Sequence, residues 1–313
     1  MLDGVIGVDL GGTKLRAGIV DAEARVHHRT RYSAQGLAQG ALLATAEAAV
    51  REVLDASGGE VSAVGFGIPA LIDPQRGVVT FCNHLPLEGL AFADAMSERL
   101  GLPVFADNDA NVALLAEHRL GAAQGTRNAM MLTLGTGIGG GLIVEGELYR
   151  GTRGAAGELG HVVVDLDGPP CPGKCPNRGC LEALASGIAL GMEGTRRGLA
   201  PAPGQDAVTG ERVTELAHAG DPEARAAVET IGRALGTGIS GLVNAFDPEV
   251  VVIGGGVIAL GELLLAPARA EAAARLGGPV HGTPIVAARF TEEAGLIGAA
   301  VLAREAVANR AAA

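Results

Sequence analysis

Residues 5–21, VIGVDLGGTKLRAGIVD, place two glycines, a threonine and a lysine between two apolar runs. The turn resembles a Walker phosphate loop at first sight, but that loop needs Gly-Lys-Ser/Thr at the start of a helix. Here Thr13 precedes Lys14, and the residues that follow predict a second strand. The Walker interpretation therefore fails, and the stretch predicts a strand–turn–strand unit that binds its ligand in another way.

Residues 129–151 repeat this plan, with Gly135, Thr136 and Gly137 at the turn. Each of the two stretches begins one half of the chain, and alternating helical and strand-like segments follow each of them. Two α/β domains of related topology would explain the repeat. A cleft between two such domains is the expected place for a ligand.

Length and composition limit the classes of protein to consider. A chain of 313 residues favours two domains, and its net charge of -11 argues against a nucleic-acid surface. Residues 1–3 lack the features of a signal peptide, and the longest uncharged run, residues 128–144, is interrupted by five glycines. We therefore expect a cytoplasmic protein with neither a nucleic-acid nor a membrane partner.

Two glycine motifs resemble dinucleotide fingerprints. Gly135, Gly137 and Gly140 satisfy Gly-x-Gly-x-x-Gly, but a hairpin follows them where the mechanism requires a helix. Residues 254–256 are better placed, between a strand and a helix, and we interpret them as a place where the backbone approaches a nucleotide. An ordinary strand-to-helix turn explains the second motif equally well.

The cysteines are unevenly distributed. Cys171, Cys175 and Cys180 lie within CPGKCPNRGC, while Cys82 stands alone. Disulfides are rare in a reducing compartment, and three clustered cysteines cannot all pair with one another. The pattern favours a metal site.

The three glycine motifs together resemble the motifs of one known protein superfamily. DLGGTK, LGTGIGGG and VVIGGGV resemble the two phosphate motifs and the adenosine motif of the actin-like sugar kinase superfamily. GELGH, followed by a cysteine cluster that ends in RGCLE, resembles the ROK family of bacterial sugar kinases, repressors and open reading frames. The five motifs occur in the family's order over nearly the whole chain, which makes the match specific although each motif is weak alone.

The resemblance implies an α/β fold of two related actin-like ATPase domains, which are ribonuclease H-like, with a cleft between them. It implies a small N-terminal domain of residues 1–120, completed by a C-terminal helix of about residues 299–313. Residues 121–298 would form a large domain with a zinc-binding loop. A homodimer or homotetramer is also expected from the resemblance.

The implied activity is that of an ATP-dependent hexose kinase, most similar to glucokinases, which phosphorylate the glucose 6-hydroxyl. Kinases for other hexoses or for N-acetylmannosamine share the motifs and stay open as alternatives. A non-catalytic, sugar-responsive regulator is another. A repressor would carry a DNA-binding helix-turn-helix ahead of Asp9, and the few preceding residues and the acidic charge disfavour it.

The predicted nucleotide site combines backbone and side-chain groups. Glycine N–H groups can reach phosphate oxygens because no Cβ intervenes, and Thr13, Thr136 and Lys14 add hydroxyls and a charge. Asp9, at a strand end, is suited to hold the Mg²⁺ of ATP through its water shell, although an ordinary turn acid is the alternative. The predicted nucleotide-binding residues are Asp9, Gly11, Gly12, Thr13, Lys14, Gly135, Thr136, Gly137, Gly254, Gly255 and Gly256.

The predicted catalytic residue lies in DNDAN, which opens a helix. By the resemblance, Asp109 is the general base for the attacking sugar hydroxyl, and Asn108 binds a sugar hydroxyl. Helix capping is the alternative explanation for both residues, and Asp107 before them is a further possible cap. A helix N-terminus keeps Asp109 ionised and weakly basic, which phosphoryl transfer tolerates because its transition state is loose.

Three further residues are implied to line the hexose. Glu158 and His161 lie in GELGH, and Glu182 follows the last cysteine. A carboxylate can accept hydrogen bonds from two adjacent sugar hydroxyls. The alternatives are a first-turn helix acid for Glu182 and a histidine at the start of a buried strand for His161. The predicted sugar-binding residues are Gly67, Asn108, Asp109, Glu158, His161 and Glu182.

The same resemblance implies a structural zinc ion. His161, Cys171, Cys175 and Cys180 offer one imidazole and three thiolates, a closed tetrahedral set. The family usually separates its first two cysteines by one residue, whereas three residues separate Cys171 from Cys175 here. The ligand role of Cys171 is therefore the part of this prediction that the structure must test.

Overall fold

The computed structural model describes residues 4–58 and 61–312. Residues 1–3, on which the expectation about a signal peptide rests, lie outside the described residues. So does Ala313, the last residue of the predicted C-terminal helix.

Contacts divide the chain into two compact units, which we describe separately. Unit 1 comprises Met1–Gly125, Leu148–Gly157 and Glu292–Ala313, and unit 2 comprises Thr126–Glu147 and Glu158–Thr291. The domain bounds that the resemblance implied, residues 1–120 with 299–313 and residues 121–298, remain a prediction.

Twelve strands occur in the described residues. In chain order they are β1 Gly4–Leu10, β2 Lys14–Val20, β3 Val26–Ser33, β4 Val61–Ile68, β5 Ala70–Ile72, β6 Val79–Cys82, β7 Val104–Asn108, β8 Ala129–Leu134, β9 Ile138–Val144, β10 Glu147–Leu148, β11 Val250–Gly254 and β12 Ile285–Ala287.

Nine α-helices accompany these strands in the described part of the chain. They are α1 Gln39–Ser57, α2 Phe92–Leu100, α3 Asp109–Leu120, α4 Leu181–Ala185, α5 Gly187–Arg196, α6 Gly210–His218, α7 Pro222–Phe246, α8 Glu262–Arg275 and α9 Ala294–Ala312. Short 3₁₀ helices lie at Leu159–His161, Gly256–Leu260 and Gly278–Val280. Among the described residues, no helix combines the length and the apolar character that crossing a bilayer requires.

The two main sheets share one topology. The strand order is β3-β2-β1-β4-β7 in unit 1 and β10-β9-β8-β11-β12 in unit 2. In each sheet, the central strand pairs antiparallel with the strand after it in the chain and parallel with the strand on its other side. The α/β class and the relation between the two halves, both predicted from the repeated glycine turns, are confirmed.

Helix α9 fixes the sheet of unit 1 from one face. A Cβ on Gly7 would overlap the carbonyl oxygen of Leu296, and a Cβ on Gly65 would overlap that of Ala299. Glycine is required at both strand positions because the helix backbone lies directly against the sheet. This close packing holds β1, and therefore the turn that follows it, in a fixed position.

The core of unit 2 is formed by β8 and β11 with helices α7 and α8 against them. Met130, Leu132 and Ile253 are fully buried, and Leu235 and Leu264 pack into the same cluster. Because both faces of these strands are covered, they are apolar almost without interruption, as is usual for parallel strands inside α/β folds. The end of β8 is thereby held firmly where the second glycine turn begins.

Candidate active site

The first glycine turn, residues 11–13, joins β1 to β2 and is closed by its own backbone. The N–H of Gly11 donates to the carbonyl of Lys14 at 2.9 Å, and the carbonyl of Thr13 accepts from Ala34 N–H at 3.0 Å. The side chains of Thr13 and Lys14 are exposed. The turn therefore presents a hydroxyl and an ammonium group to solvent, as a phosphate ligand would require.

Asp9, the predicted Mg²⁺ residue, forms an ion pair that sequence reasoning missed. Arg16 lies directly opposite Asp9 in the β1–β2 register, and its Nη2 donates to Asp9 Oδ2 at 2.7 Å. Cross-strand pairs of opposite charge are common, but the register has to be known before the pair can be seen. A hydrated cation at Asp9 would therefore share this carboxylate with Arg16.

Two predicted positions of unit 1, Asp9 and Gly67, lie at one edge of its sheet. Gly67 on β4 is paired with Asp9 on one side and with Asp107 on the other, at the carboxyl ends of three parallel strands. Ligands of open α/β sheets bind outside this edge. A Cβ on Gly67 would lie 2.6 Å from a methyl group of Val112, so packing against α3 already requires a glycine here.

Asn108 and Asp109 begin helix α3. Oδ1 of Asn108 accepts the N–H groups of Ala110 at 2.9 Å and Asn111 at 3.2 Å, so this side chain caps the helix, as the alternative explanation proposed. Asp109 is half-buried in the first turn, and its Oδ1 accepts from Ala110 N–H at 2.9 Å. The start of α3 thus holds the Asp109 carboxylate in a defined orientation.

Asp107 supports this helix start, and sequence reasoning considered it only as a possible cap. The residue is 5% exposed. Its Oδ1 accepts from the side chain of Asn111 at 2.9 Å, and its Oδ2 accepts from Nε of Arg150 at 2.6 Å. Arg150 lies 43 residues away, and nothing in the local sequence indicates this pair. Asp107 therefore ties the helix that carries Asp109 to Leu148–Gly157 within unit 1.

The second glycine turn, residues 135–137, joins β8 to β9 in unit 2. Gly135 N–H donates to the Gly137 carbonyl at 2.9 Å, which closes the turn. Two contacts from a later segment hold it. Gly187 N–H donates to the Gly135 carbonyl at 2.8 Å, and Ile138 N–H donates to Oε2 of Glu182 at 2.8 Å. From the sequence, Glu182 was predicted to be a sugar ligand, with a first-turn helix acid as the alternative, and this contact with the turn was not foreseen.

The third glycine motif follows β11. Gly255 has φ +82°, and a Cβ there would overlap the backbone of Leu134, so the fold alone requires this glycine. A Cβ on Gly254 would lie 2.5 Å from the Met131 side chain, whereas Gly256 faces open space. Of the three glycines, Gly256 is the one whose missing side chain leaves room for a ligand.

A cavity of about 730 Å³ joins the second and third motifs within unit 2. Such a volume is within the range of small-molecule sites. Ile188 and Met192, one helical turn apart on α5, border it and are 42% and 60% exposed. Other residues around the cavity are Gly135, Thr136, Val208, Glu211, Thr214 and Val257. The contribution of α5 and α6 was not predicted, because neither helix carries a recognisable motif.

Glu158 and His161 form a pair around the short helix Leu159–His161. Nε2 of His161 lies 3.6 Å from Oε2 of Glu158, whose side chain is 45% exposed. Partial burial raises the pKa of the Glu158 carboxyl, the charge of His161 opposes the rise, and the nearby Glu182 carboxylate adds to it. Nε2 therefore faces a carboxylate, while the other nitrogen of the ring points elsewhere.

That other nitrogen belongs to a cluster of four residues. The ligand atoms of His161, Cys171, Cys175 and Cys180 all lie within 4.8 Å of one another. Nδ1 of His161 is 3.4 Å from Sγ of Cys171, and the sulfurs of Cys175 and Cys180 are 3.9 Å apart. A tetrahedral zinc ion with ordinary bond lengths would separate its ligand atoms by about 3.6–3.8 Å. The residues therefore fit a tetrahedral zinc ion, and the longer spacing does not keep Sγ of Cys171 out of the cluster.

The chemistry of the cluster agrees with this fit. All four cysteines are free of disulfides. Burial raises the pKa of the Cys171 and Cys180 thiols, and the other cysteines of the cluster add to the rise for Cys171. Without a cation the thiols of Cys171 and Cys180 would therefore stay protonated, and metal binding would release their protons. Three thiols and an imidazole held this close to one another could hold a metal ion.

Comparisons with known proteins identify the family. The model of the ROK family matches residues 5–306. The chain is 35% identical to the glucokinase of Thermotoga maritima and 35% identical to that of Streptomyces coelicolor, in each case over 96% of this chain and 97% of the relative. It is also 28% identical to a xylose repressor of Bacillus spizizenii, over 87% of this chain and 69% of the repressor.

Solved structures agree in fold. A ROK family glucokinase from Streptomyces griseus, in complex with glucose and AMPPNP, matches with a TM-score of 0.86 and 37% identity, over 96% of this chain and 99% of that one. A ROK hexokinase from Thermus thermophilus matches with a TM-score of 0.80 and 38% identity, over 98% and 99%. The actin-like fold predicted from the motifs is confirmed, and the chain belongs to the ROK family.

Proposed function

We propose that this chain is a hexose kinase that transfers the terminal phosphoryl group of ATP to the 6-hydroxyl of glucose. The observation that carries the proposal is the pair of glycine turns at equivalent places in two sheets of the same topology, one of them beside a nucleotide-sized cavity. Further support comes from glucokinases similar over nearly their whole length, and from the S. griseus enzyme that binds glucose and AMPPNP.

In unit 2, the cavity would hold the nucleoside. Ile188 and Met192 offer an apolar surface on which a base can stack, and the backbone at Gly256 leaves room for it. The hydroxyl of Thr136 and the N–H groups of Thr136 and Gly137 would meet phosphate oxygens, because amides in a tight turn form an anion-binding concavity.

In unit 1, the first glycine turn would contribute the hydroxyl of Thr13 and the charge of Lys14. Mg²⁺ supplies neutralisation of phosphate charge when it is bound, and Asp9 is the carboxylate suited to hold it through water. Arg16 keeps Asp9 in place through the ion pair at 2.7 Å. These groups position the nucleotide phosphates and stabilise charge, which is most of what phosphoryl transfer requires.

Asp109 would act as the general base. Its carboxylate accepts the proton of the sugar 6-hydroxyl as that oxygen forms a bond to phosphorus, and the bond from phosphorus to the ADP oxygen breaks. The contact of Asp109 with Ala110 N–H and the support from Asp107 hold the acceptor in one orientation. Such a positioned base typically contributes about 10²–10⁴-fold to the rate.

Glu158, His161 and Glu182, together with Gly67 and Asn108, remain our proposed sugar-binding residues. A zinc ion in the cluster would have a structural part, since four protein ligands leave no open position. With Nδ1 of His161 directed to that ion, Nε2 stays available for a sugar hydroxyl and the ring is fixed. We also retain the expectation of a homodimer or homotetramer.

A sugar-responsive regulator is the second candidate, because xylose repressors are relatives of this chain. The repressors are matched over only 52–69% of their own length, whereas the glucokinases of T. maritima and S. coelicolor are matched over 97%. This difference favours the kinase.

The test is a panel of sugars and phosphoryl donors. The purified zinc-loaded protein is incubated with ATP, ADP or polyphosphate and with glucose, mannose, fructose, allose or N-acetylmannosamine, and sugar phosphates are detected by mass spectrometry and NMR. We expect glucose 6-phosphate from glucose and ATP as the fastest product. Sugar binding without phosphorylation under any condition would favour the regulator and contradict the proposal.

A further inference from the structure

Glu182 makes a contact that its predicted part as a sugar ligand does not explain. The residue lies in the first turn of α4, and Oε2 accepts the N–H of Ile138 at 2.8 Å, across 44 residues of sequence. Ile138 is 5% exposed, so its amide is shielded from water. A buried N–H left without an acceptor is unfavourable, and the turn therefore depends on this carboxylate.

The carboxylate also fits closely against the turn. A Cβ on Gly137 would overlap Oε2 of Glu182, so the missing side chain of this glycine provides the space that the carboxylate fills. On the other side, Gly187 N–H donates to the Gly135 carbonyl at 2.8 Å. Residues 182–187 thus hold the turn at both of its ends.

The same side chain touches the metal-binding cluster. Oε1 of Glu182 lies 3.9 Å from Sγ of Cys171, and Cys180 is the residue that precedes α4. Leu181 N–H donates to the Val162 carbonyl at 2.9 Å, which fixes the start of this helix beside His161. A continuous set of contacts therefore runs from the cluster through Glu182 to the second glycine turn, all within unit 2.

We propose that Glu182 is a positioning residue for the nucleotide-phosphate turn, and that it links the shape of residues 135–138 to the cysteine cluster. The inference rests on the proposed function, in which this turn binds ATP. It adds to that function a dependence of nucleotide binding on Glu182 that exists before any sugar is present. The requirement is geometric, because an oxygen acceptor must reach Ile138 N–H.

Two conservative variants distinguish the effect of the length of the Glu182 side chain from the effect of its charge. Glu182→Gln keeps the length of the side chain and an amide oxygen as acceptor but removes the charge. Glu182→Asp keeps the charge but is one methylene too short to reach Ile138 N–H. A ligand that acts through its charge, on sugar or metal, would be preserved better by Glu182→Asp. Glu229→Ala removes an exposed carboxylate from α7 of the same unit and is the matched control.

The experiment is titration calorimetry of each zinc-loaded protein with AMPPNP and Mg²⁺ in the absence of sugar. We expect Glu182→Gln and Glu229→Ala to bind within about threefold of the parent, and Glu182→Asp about tenfold more weakly, the effect of one hydrogen bond to a charged group. Any result in which Glu182→Asp does not bind more weakly than Glu182→Gln overturns the inference. If the parent itself does not bind the nucleotide, the proposed function fails, and the inference fails with it.

Discussion

The two glycine turns occupy equivalent places in two sheets of the same topology, but they are held in different ways. As far as the structure describes the chain, residues 11–13 are held by backbone groups alone: Gly11 N–H donates to the Lys14 carbonyl within the hairpin, and Ala34 N–H, just after β3, donates to the Thr13 carbonyl. Residues 135–137 are held in addition by Glu182 and Gly187, which belong to a segment that begins at the cysteine cluster. A repeated fold can therefore connect one of its two glycine turns, and not the other, to a segment that follows a cysteine cluster.

The glycines of the two turns also differ in what an added Cβ would contact. A Cβ on Gly12 would lie 3.0 Å from the Cβ of His84, a tight contact that a small shift could relieve. A Cβ on Gly137 would overlap Glu182, whereas a Cβ on Gly135 would meet nothing within 4 Å. One glycine of the second turn is thus required by the protein, and another leaves space that only a ligand would need.

The largest effect is expected at Asp109, the proposed proton acceptor of unit 1. Asp109→Asn keeps the size of the side chain but cannot accept a proton at neutral pH, so we expect kcat to fall by at least ~10²-fold with nucleotide affinity unchanged. Steady-state kinetics and calorimetry would measure both. Asp94→Asn, in the first turn of α2, is the control and should have parental kcat. Near-normal turnover in a folded Asp109→Asn protein would remove Asp109 from the mechanism.

The next prediction separates the two kinds of glycine in the second turn. Gly137→Val would displace the Glu182 carboxylate, so we expect AMPPNP and glucose affinities both to fall, by roughly tenfold or more. Gly135→Ala meets open space in the protein and should leave the free energy of unfolding within about 0.5 kcal/mol. If Gly135→Ala nevertheless weakens AMPPNP binding in calorimetry, the phosphate approaches that backbone. Parental affinities in Gly137→Val would contradict the described packing.

The cysteine cluster offers the next comparison between the units. Elemental analysis should find about one zinc per chain, and Cys180→Ser should lose most of it because one of four ligands is gone. We expect weaker glucose binding through His161 and weaker AMPPNP binding through Glu182. Cys82→Ser in unit 1 changes a cysteine whose Sγ donates to the Pro69 carbonyl at 3.3 Å, and it should keep the metal. If the purified parent protein contains no zinc, the prediction is wrong and the cysteines only pack against one another.

The smallest effect is expected from a network in unit 1 that involves no metal. Burial by itself raises the pKa of Asp21, but hydrogen bonds from His27 and Arg25 outweigh it and hold the pKa well below the usual range. The ionised carboxylate therefore stabilises the fold above the unfolded-state pKa, and this contribution is lost as the pH falls through the lower folded-state pKa. Asp21→Asn should cost about 1 kcal/mol at pH 7, with solvent screening taken into account.

Denaturant unfolding of the parent and Asp21→Asn at pH 7 and pH 3 would measure the contribution of the Asp21 carboxylate to the free energy of unfolding. The difference between the two proteins should shrink at the lower pH, while zinc content and AMPPNP affinity at pH 7 stay parental. A difference that grows as the pH falls would contradict the assigned direction of the pKa.

The sequence predicted those features of the molecule that depend on local pattern. The repeated glycine turns predicted two related halves, and DNDAN predicted the helix that begins at Asp109. Contacts that join distant segments could not be predicted. The ion pair of Asp9 with Arg16 depends on strand register, and that of Asp107 with Arg150 depends on tertiary packing.

Glycine was the residue most easily misread. Gly255 was predicted from its motif to approach a nucleotide, yet its positive φ and the nearby Leu134 backbone already require it. Gly137 was interpreted as space for phosphate, and in the protein that space is filled by Glu182. In a chain with 49 glycines, the motif alone does not distinguish a glycine that admits a ligand from one that admits another part of the protein.

The most direct test of this account compares the two turns in one protein. Hydrogen exchange is measured on the zinc-loaded protein and after removal of zinc by a chelator. If the cluster supports the second turn through Glu182, amide exchange at residues 135–138 should accelerate about tenfold or more on zinc removal, while exchange at residues 11–14 stays the same. Unchanged exchange at residues 135–138, or an equal acceleration at both turns, would contradict the claim that the cluster supports the second turn alone.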